Sequence, residues 1–226
     1  MSALENTAVW IYGSHARGDA DELSDFDLLA ISDQEVSVEV VNRLLEAPRV
    51  PSLTHYSWDE IGAMASYGSL FLRHLQLEGR AAFESPDAKG KLARILSLVG
   101  DYKFASRDVS GFRSVVQDVR ASLRDGGSPA FEMSVLGTVV RHASILGCAV
   151  SGSYCFSRCE PVAKVVAEWG LPGEVSGEFP ALYQYRICVE RREIPMPIAT
   201  KRDAVRWSNR ADSLVDALET RVDGLH

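Results

Sequence analysis

Residues Val9-Trp10-Ile11-Tyr12-Gly13-Ser14-His15-Ala16-Arg17-Gly18, followed by Ser24-Asp25-Phe26-Asp27-Leu28-Leu29, decide how the rest of the chain is read. The first run is apolar, short and rich in β-branched and aromatic residues, as a buried strand requires. Gly13 permits a tight turn without side-chain obstruction, and Ser14 adds a hydroxyl beside a backbone N–H. A polar loop follows, then a second strand that opens on two carboxylates. Asp25 and Asp27 are two apart, so on a strand both face the same side. Two hard oxygen ligands so placed suit Mg²⁺, which takes one or two protein carboxylates together with substrate phosphate oxygens.

The spacing Gly13-Ser14, Arg17-Gly18, Ser24-Asp25, Asp27-Leu28 resembles the signature of the DNA-polymerase-β-like nucleotidyltransferase superfamily, with its minimal and kanamycin-nucleotidyltransferase types closest. The resemblance implies in-line attack of an acceptor hydroxyl on the α-phosphorus of a nucleoside triphosphate, with pyrophosphate leaving. Carried onto this sequence, it makes Asp25 and Asp27 the Mg²⁺ ligands and catalytic carboxylates. It makes Gly13, Ser14, Arg17 and Gly18 the triphosphate-binding residues, with ATP the expected nucleotide. A surface pairing of Arg17 with Asp19 or Asp21 is the competing reading.

The sequence departs from the family in one respect. A fully equipped member carries a third carboxylate on the next strand, and Leu53-Thr54-His55-Tyr56-Ser57 holds no Asp or Glu. The expected position falls near Thr54. His55 is the candidate base on that strand, imidazole being the common base near neutral pH, with a partly buried structural histidine the competing reading. Glu132, Glu160 and Glu178 from the second half are further candidates.

Composition bounds the alternatives. At 226 residues the chain can form one large domain or two small ones. A net charge of −7 argues against general nucleic-acid binding. Basic residues do gather late, at Arg186, Arg191, Arg192, Lys201, Arg202, Arg206 and Arg210, where a solvated helix face is the bland alternative to a phosphate-facing patch. No uninterrupted apolar run approaches a bilayer span and no signal peptide is evident, so the expectation is a cytoplasmic protein without a membrane role. Cys148, Cys155, Cys159 and Cys188 lack CxxC spacing and read as buried thiols.

Along the chain, Ser32 and Glu35 form a capping-box pattern, predicting a helix to about Ala47. Residues 51–57 read as a third strand, 59–78 as one helix begun by a Ser57/Glu60 capping box, and 81–84 as an edge strand. Ser85-Pro86 predicts a further helix start. From there the pattern is helical: a helix to Arg124, then 129–150, 161–169, 181–192 and 202–222, with a Gly/Pro loop over 170–180. Trp169, Trp207 and Val205 are expected in the core of this part.

The expected fold class is therefore α+β. A nucleotidyltransferase domain of small mixed sheet and helices spans residues 1–95, and an all-α helical domain for substrate or partner binding spans 96–226. The expected function is transfer of a nucleoside monophosphate to a hydroxyl of a small molecule or protein, in a chain that could form a homodimer. The competing class is a nucleotide-binding regulatory protein, antitoxin-like or phage-defence-like, acting through its helical domain without turnover.

Overall fold

A computed structural model of the chain describes residues 4–22, 24–45, 51–191 and 194–224. The chain divides into two compact units, residues 1–103 and 104–226. The division falls beyond the expected 95/96 because Leu96 and Val99 are still buried in the core of the first unit.

The first unit is a four-stranded sheet in the order β3-β2-β1-β4, from β1 (Ala8–Ile11), β2 (Asp27–Ile31), β3 (Ser52–Tyr56) and β4 (Arg80–Glu84). β1 pairs antiparallel with β2 and β4, whereas β2 and β3 run parallel. The apolar runs on β1 and β2 follow from burial on both faces. Leu29 and Ile31 join Ala8 and Trp10 in one core, closed by Ile61 of α3 (Trp58–Ser66), Leu72 and Leu75 of α4 (Leu70–Glu78), and Leu92 of α5 (Lys91–Leu96). Leu28 and Ala30 join Val9, Phe26 and Val36 in the other, closed by Val41 of α2 (Val38–Leu45). The alternation along β2 therefore fixes which face each neighbouring residue serves.

Local chemistry redirects several expected helix starts. Ser32 does not cap a helix: its hydroxyl donates to the Gln34 carbonyl at 2.5 Å, and α2 starts only at Val38. The expected end near Ala47 lies outside the described residues. Ser85 accepts from the Thr7 amide at 3.0 Å instead of opening a helix, and the next helix, α5, waits until Lys91. The Ser57/Glu60 capping box forms as expected.

The single helix expected over 59–78 is two. Gly68, at φ +73°, breaks it, and a Cβ there would lie 2.1 Å from the Asp101 carbonyl oxygen. The close approach lets Lys103 N–H donate to the Tyr67 carbonyl at 3.0 Å, tying the end of the unit to this turn.

The second unit is all helical: α6 (Ala105–Arg124), α7 (Pro129–Val150), α8 (Glu160–Trp169), α9 (Glu174–Glu190) and α10 (Lys201–Asp223). α7 packs against the other four. Contrary to the expectation from run length, α7 is long and apolar enough to cross a membrane. Here it is the central helix, with residues from Glu132 to Cys148 buried around its circumference, as a helix apolar on all sides must be. The loop expected over 170–180 is mostly helix, since α9 begins at Glu174 and accommodates Pro180 inside it. Trp207 is 2% exposed and lies in the core. Val205 points outward instead, while Ala204, Trp207, Ala211, Leu214 and Leu218 form the inner stripe of α10. A Thr200/Asp203 capping box, not anticipated, begins that helix.

Substituting Gly68→Ala should destabilise the first unit by about 2 kcal/mol or more, since it combines a left-handed backbone with a backbone clash. Urea unfolding followed by circular dichroism measures it, and an unchanged midpoint would contradict the role given to this turn.

Candidate active site

Gly13 begins a short helix, α1 (Gly13–Arg17), rather than the simple turn expected. It adopts φ +69°, and a Cβ on it would sit 2.7 Å from Asp27 Oδ2. The glycine is thus required twice: for the left-handed backbone, and for the space into which the Asp27 carboxylate reaches. The Tyr12 amide donates to the Asp27 carbonyl at 3.2 Å, extending the β1–β2 ladder to this position. Gly13 and Asp27, fourteen positions apart in sequence numbering, are thereby brought into contact at one end of the strands.

Asp25 lies outside β2 and is exposed, whereas Asp27 is half-buried. The loop before them is braced by Ser24, which is buried. Its hydroxyl donates to Asp21 Oδ1 at 2.7 Å and accepts from the Asp21 amide at 2.9 Å. The Ser52 amide, donating to the Phe26 carbonyl at 2.9 Å, holds the residue between the two carboxylates against β3. Among the described residues no cluster of three or more His, Cys, Asp or Glu side chains forms a metal site. Asp25 and Asp27 offer carboxylate oxygens, the donor type that a divalent cation such as Mg²⁺ takes together with phosphate oxygens and water.

Arg17 is already engaged. Its Nε donates to Asp19 at 3.1 Å and its Nη1 to Glu78 Oε2 at 2.6 Å. Glu78 of α4 also receives His74 Nε2 at 2.9 Å. Burial pushes the Glu78 carboxyl up, but hydrogen bonds from His74 and Arg17 outweigh it and hold the group below its ordinary value. Gly18, at φ +82°, terminates α1, and its amide bonds back to the Ser14 carbonyl at 2.9 Å. Arg17 and Gly18 therefore anchor and end the helix whose first residues are Gly13 and Ser14.

His55 does not share the Asp27 face. It pairs in register with Ala30, which belongs to the core on the α2 side, whereas Asp27 alternates with Leu29 and Ile31 on the opposite face. His55 Nε2 lies 3.0 Å from the Ser32 hydroxyl. Strand parity therefore puts His55, the expected base, on the face opposite Asp27. Thr54, by contrast, pairs with Leu29 and shares the Asp27 face. The Tyr12 phenol meets its hydroxyl at 3.4 Å.

The three candidate carboxylates of the helical unit are engaged within that unit. Glu132 is buried and receives the Ser122 hydroxyl at 2.5 Å. Glu160 pairs with Lys164 at 3.2 Å. Glu178 binds Arg210 at 2.8 Å and Arg206 at 3.2 Å, and the Arg210 hydrogen bond, opposed by desolvation, holds its carboxyl low. Of the late basic residues, Arg206 and Arg210 pair with Glu178 and Arg186 with Glu190, while Arg192 lies outside the described residues.

Sequence reasoning missed Glu78 and the structural part of Tyr12. The His74/Glu78 spacing of four residues on a helix was the signal available for the first. Nothing in the local pattern announces that Tyr12 crosses the sheet face.

Because Glu78 titrates below its ordinary value of 4.5 in the folded protein, its charge favours the fold above that pH. This contribution is lost as pH falls through the lower folded value. Glu78→Gln should therefore make the first unit less stable at neutral pH, and its further loss of stability between about pH 5 and 3 should be smaller than in the parent chain. Urea titrations at several pH values test this, and parallel pH profiles would count against it.

A comparison with protein families matches residues 1–59 to the nucleotidyltransferase domain, while no curated protein matches the chain. The matched segment contains Gly13, Ser14, Arg17, Gly18, Asp25 and Asp27, and it ends just after β3. The N-terminal part of this chain is thus similar to nucleotidyltransferase domains, consistent with the DNA-polymerase-β-like type.

Proposed function

We propose that the chain moves a nucleoside monophosphate from a nucleoside triphosphate, ATP being the expected one, to a hydroxyl of a small molecule or protein. The observation that carries this reading is the contact of Asp27 with Gly13, which joins an acidic ligand to the backbone of α1 in the matched segment. Asp25 and Asp27 would hold Mg²⁺, which supplies charge neutralisation at the transferring phosphoryl group. The amides at the start of α1 and the Ser14 hydroxyl would receive the outer phosphates. Arg17, bound by Asp19 and Glu78, orients α1. Substrate or partner recognition is assigned to the helical unit.

Asp27→Asn should reduce Mg²⁺-dependent pyrophosphate release by about a hundredfold or more, as removal of charge stabilisation does. Asp25→Asn should act in the same direction. Pyrophosphate release with ATP and a panel of hydroxyl acceptors is the readout. Full activity in both variants would overturn the assignment, and nucleotide binding by the parent chain without any release would favour a regulatory protein instead.

A further inference from the structure

The face that carries Asp27 continues across β2 to Thr54 on β3. In register Tyr12 follows Ile11, which pairs with Leu28, so Tyr12 stands opposite Asp27 on the same face. From β1, at one side of β2, its phenol reaches a hydroxyl on β3, at the other side, 3.4 Å away. The ring therefore spans the ground between Asp27 and Thr54. It is held there edge-on against Phe71 at 5.4 Å and His74 at 5.8 Å between centroids. Every residue of β3 is a neutral or imidazole side chain, and His55 serves the other face.

We infer that this site takes one divalent cation with its nucleotide rather than two, because the Tyr12–Thr54 hydroxyl pair fills the place from which a further carboxylate would reach a second ion. The inference rests on the nucleotidyltransferase reading above. Two neutral hydroxyls offer no negative charge to offset a second dication beside the first, and like-charged ions a few Å apart repel strongly without it. Asp25 and Asp27 then serve one ion, which travels with the triphosphate.

Native mass spectrometry of the full chain with Mn²⁺ and a non-hydrolysable ATP analogue counts the ions directly. The parent chain should bind one nucleotide and one Mn²⁺. Thr54→Asp paired with Tyr12→Phe, which adds a carboxylate and removes the hydroxyl facing it, should bind one nucleotide and two. Thr54→Asp alone is the second variant, should the double substitution unfold, and circular dichroism checks each fold. Two ions on the parent chain would overturn the inference and leave the nucleotidyltransferase reading standing. One ion on both folded variants would also overturn it, since Thr54 would not then be the limiting position. Binding of neither nucleotide nor metal by the parent chain would overturn the inference together with the reading it rests on.

Discussion

The contact between the Asp27 carboxylate and the bare Cα of Gly13 is the constraint on which the candidate site depends. It requires an αL backbone at Gly13, a strand that ends at Ile11, and a second strand whose first residue is acidic. Each condition is met by a different part of the fold. The β1–β2 ladder sets the register, the two apolar cores fix which face Asp27 occupies, and the Ser24–Asp21 turn delivers the chain into β2. A side chain at position 13 would collide with the carboxylate before any ligand arrived. The site is thus organised by an absence of atoms as much as by their presence.

Around this contact, ion pairs act as braces. Arg17 reaches from α1 to α4 through Glu78, and His74 completes the set. Both Arg17 and Glu78 have largely buried side chains, with 21% and 16% exposure, so the pair is sheltered from salt screening more than a surface bridge would be. Removing one member would leave the other poorly solvated, which is why such pairs resist substitution of a single partner. The helical unit uses a similar device elsewhere. Arg113 and Arg120 of α6 bind Asp216, Glu219 and Asp212 of α10.

Much of this was legible in the sequence, for identifiable reasons. Strands β1 and β2 were readable because burial on both faces leaves an unbroken apolar run, and α7 because Ser128-Pro129 is an unambiguous start. What could not be read was set by contacts that the local pattern does not announce, most of them distant in sequence. Ser32 and Ser85 both look like helix caps, yet their hydroxyls are taken by Gln34 and by Thr7. Gly68 looks like a tolerated helix glycine until Asp101 packs over it. In the site, the identity of the acidic pair was plain, but His55 and Thr54 could be told apart only by the parallel register of β3 on β2, which places one on each face.

The central position of α7 has a consequence for how the helical unit comes into being. Its apolar circumference needs α6, α8, α9 and α10 to cover it, and α10 is the last of them to leave the ribosome. The ion pairs that close α6 onto α10 join residues as far as 106 positions apart. A nascent chain that has made α6 through α9 therefore presents one flank of an oily rod with nothing yet to lay against it. Closing so long a loop is slow compared with forming each helix. The sheet of the first unit is complete once β4 is made, before any helix of the bundle exists. The two halves should mature on different clocks during synthesis, the sheet earlier and the bundle only once α10 is made.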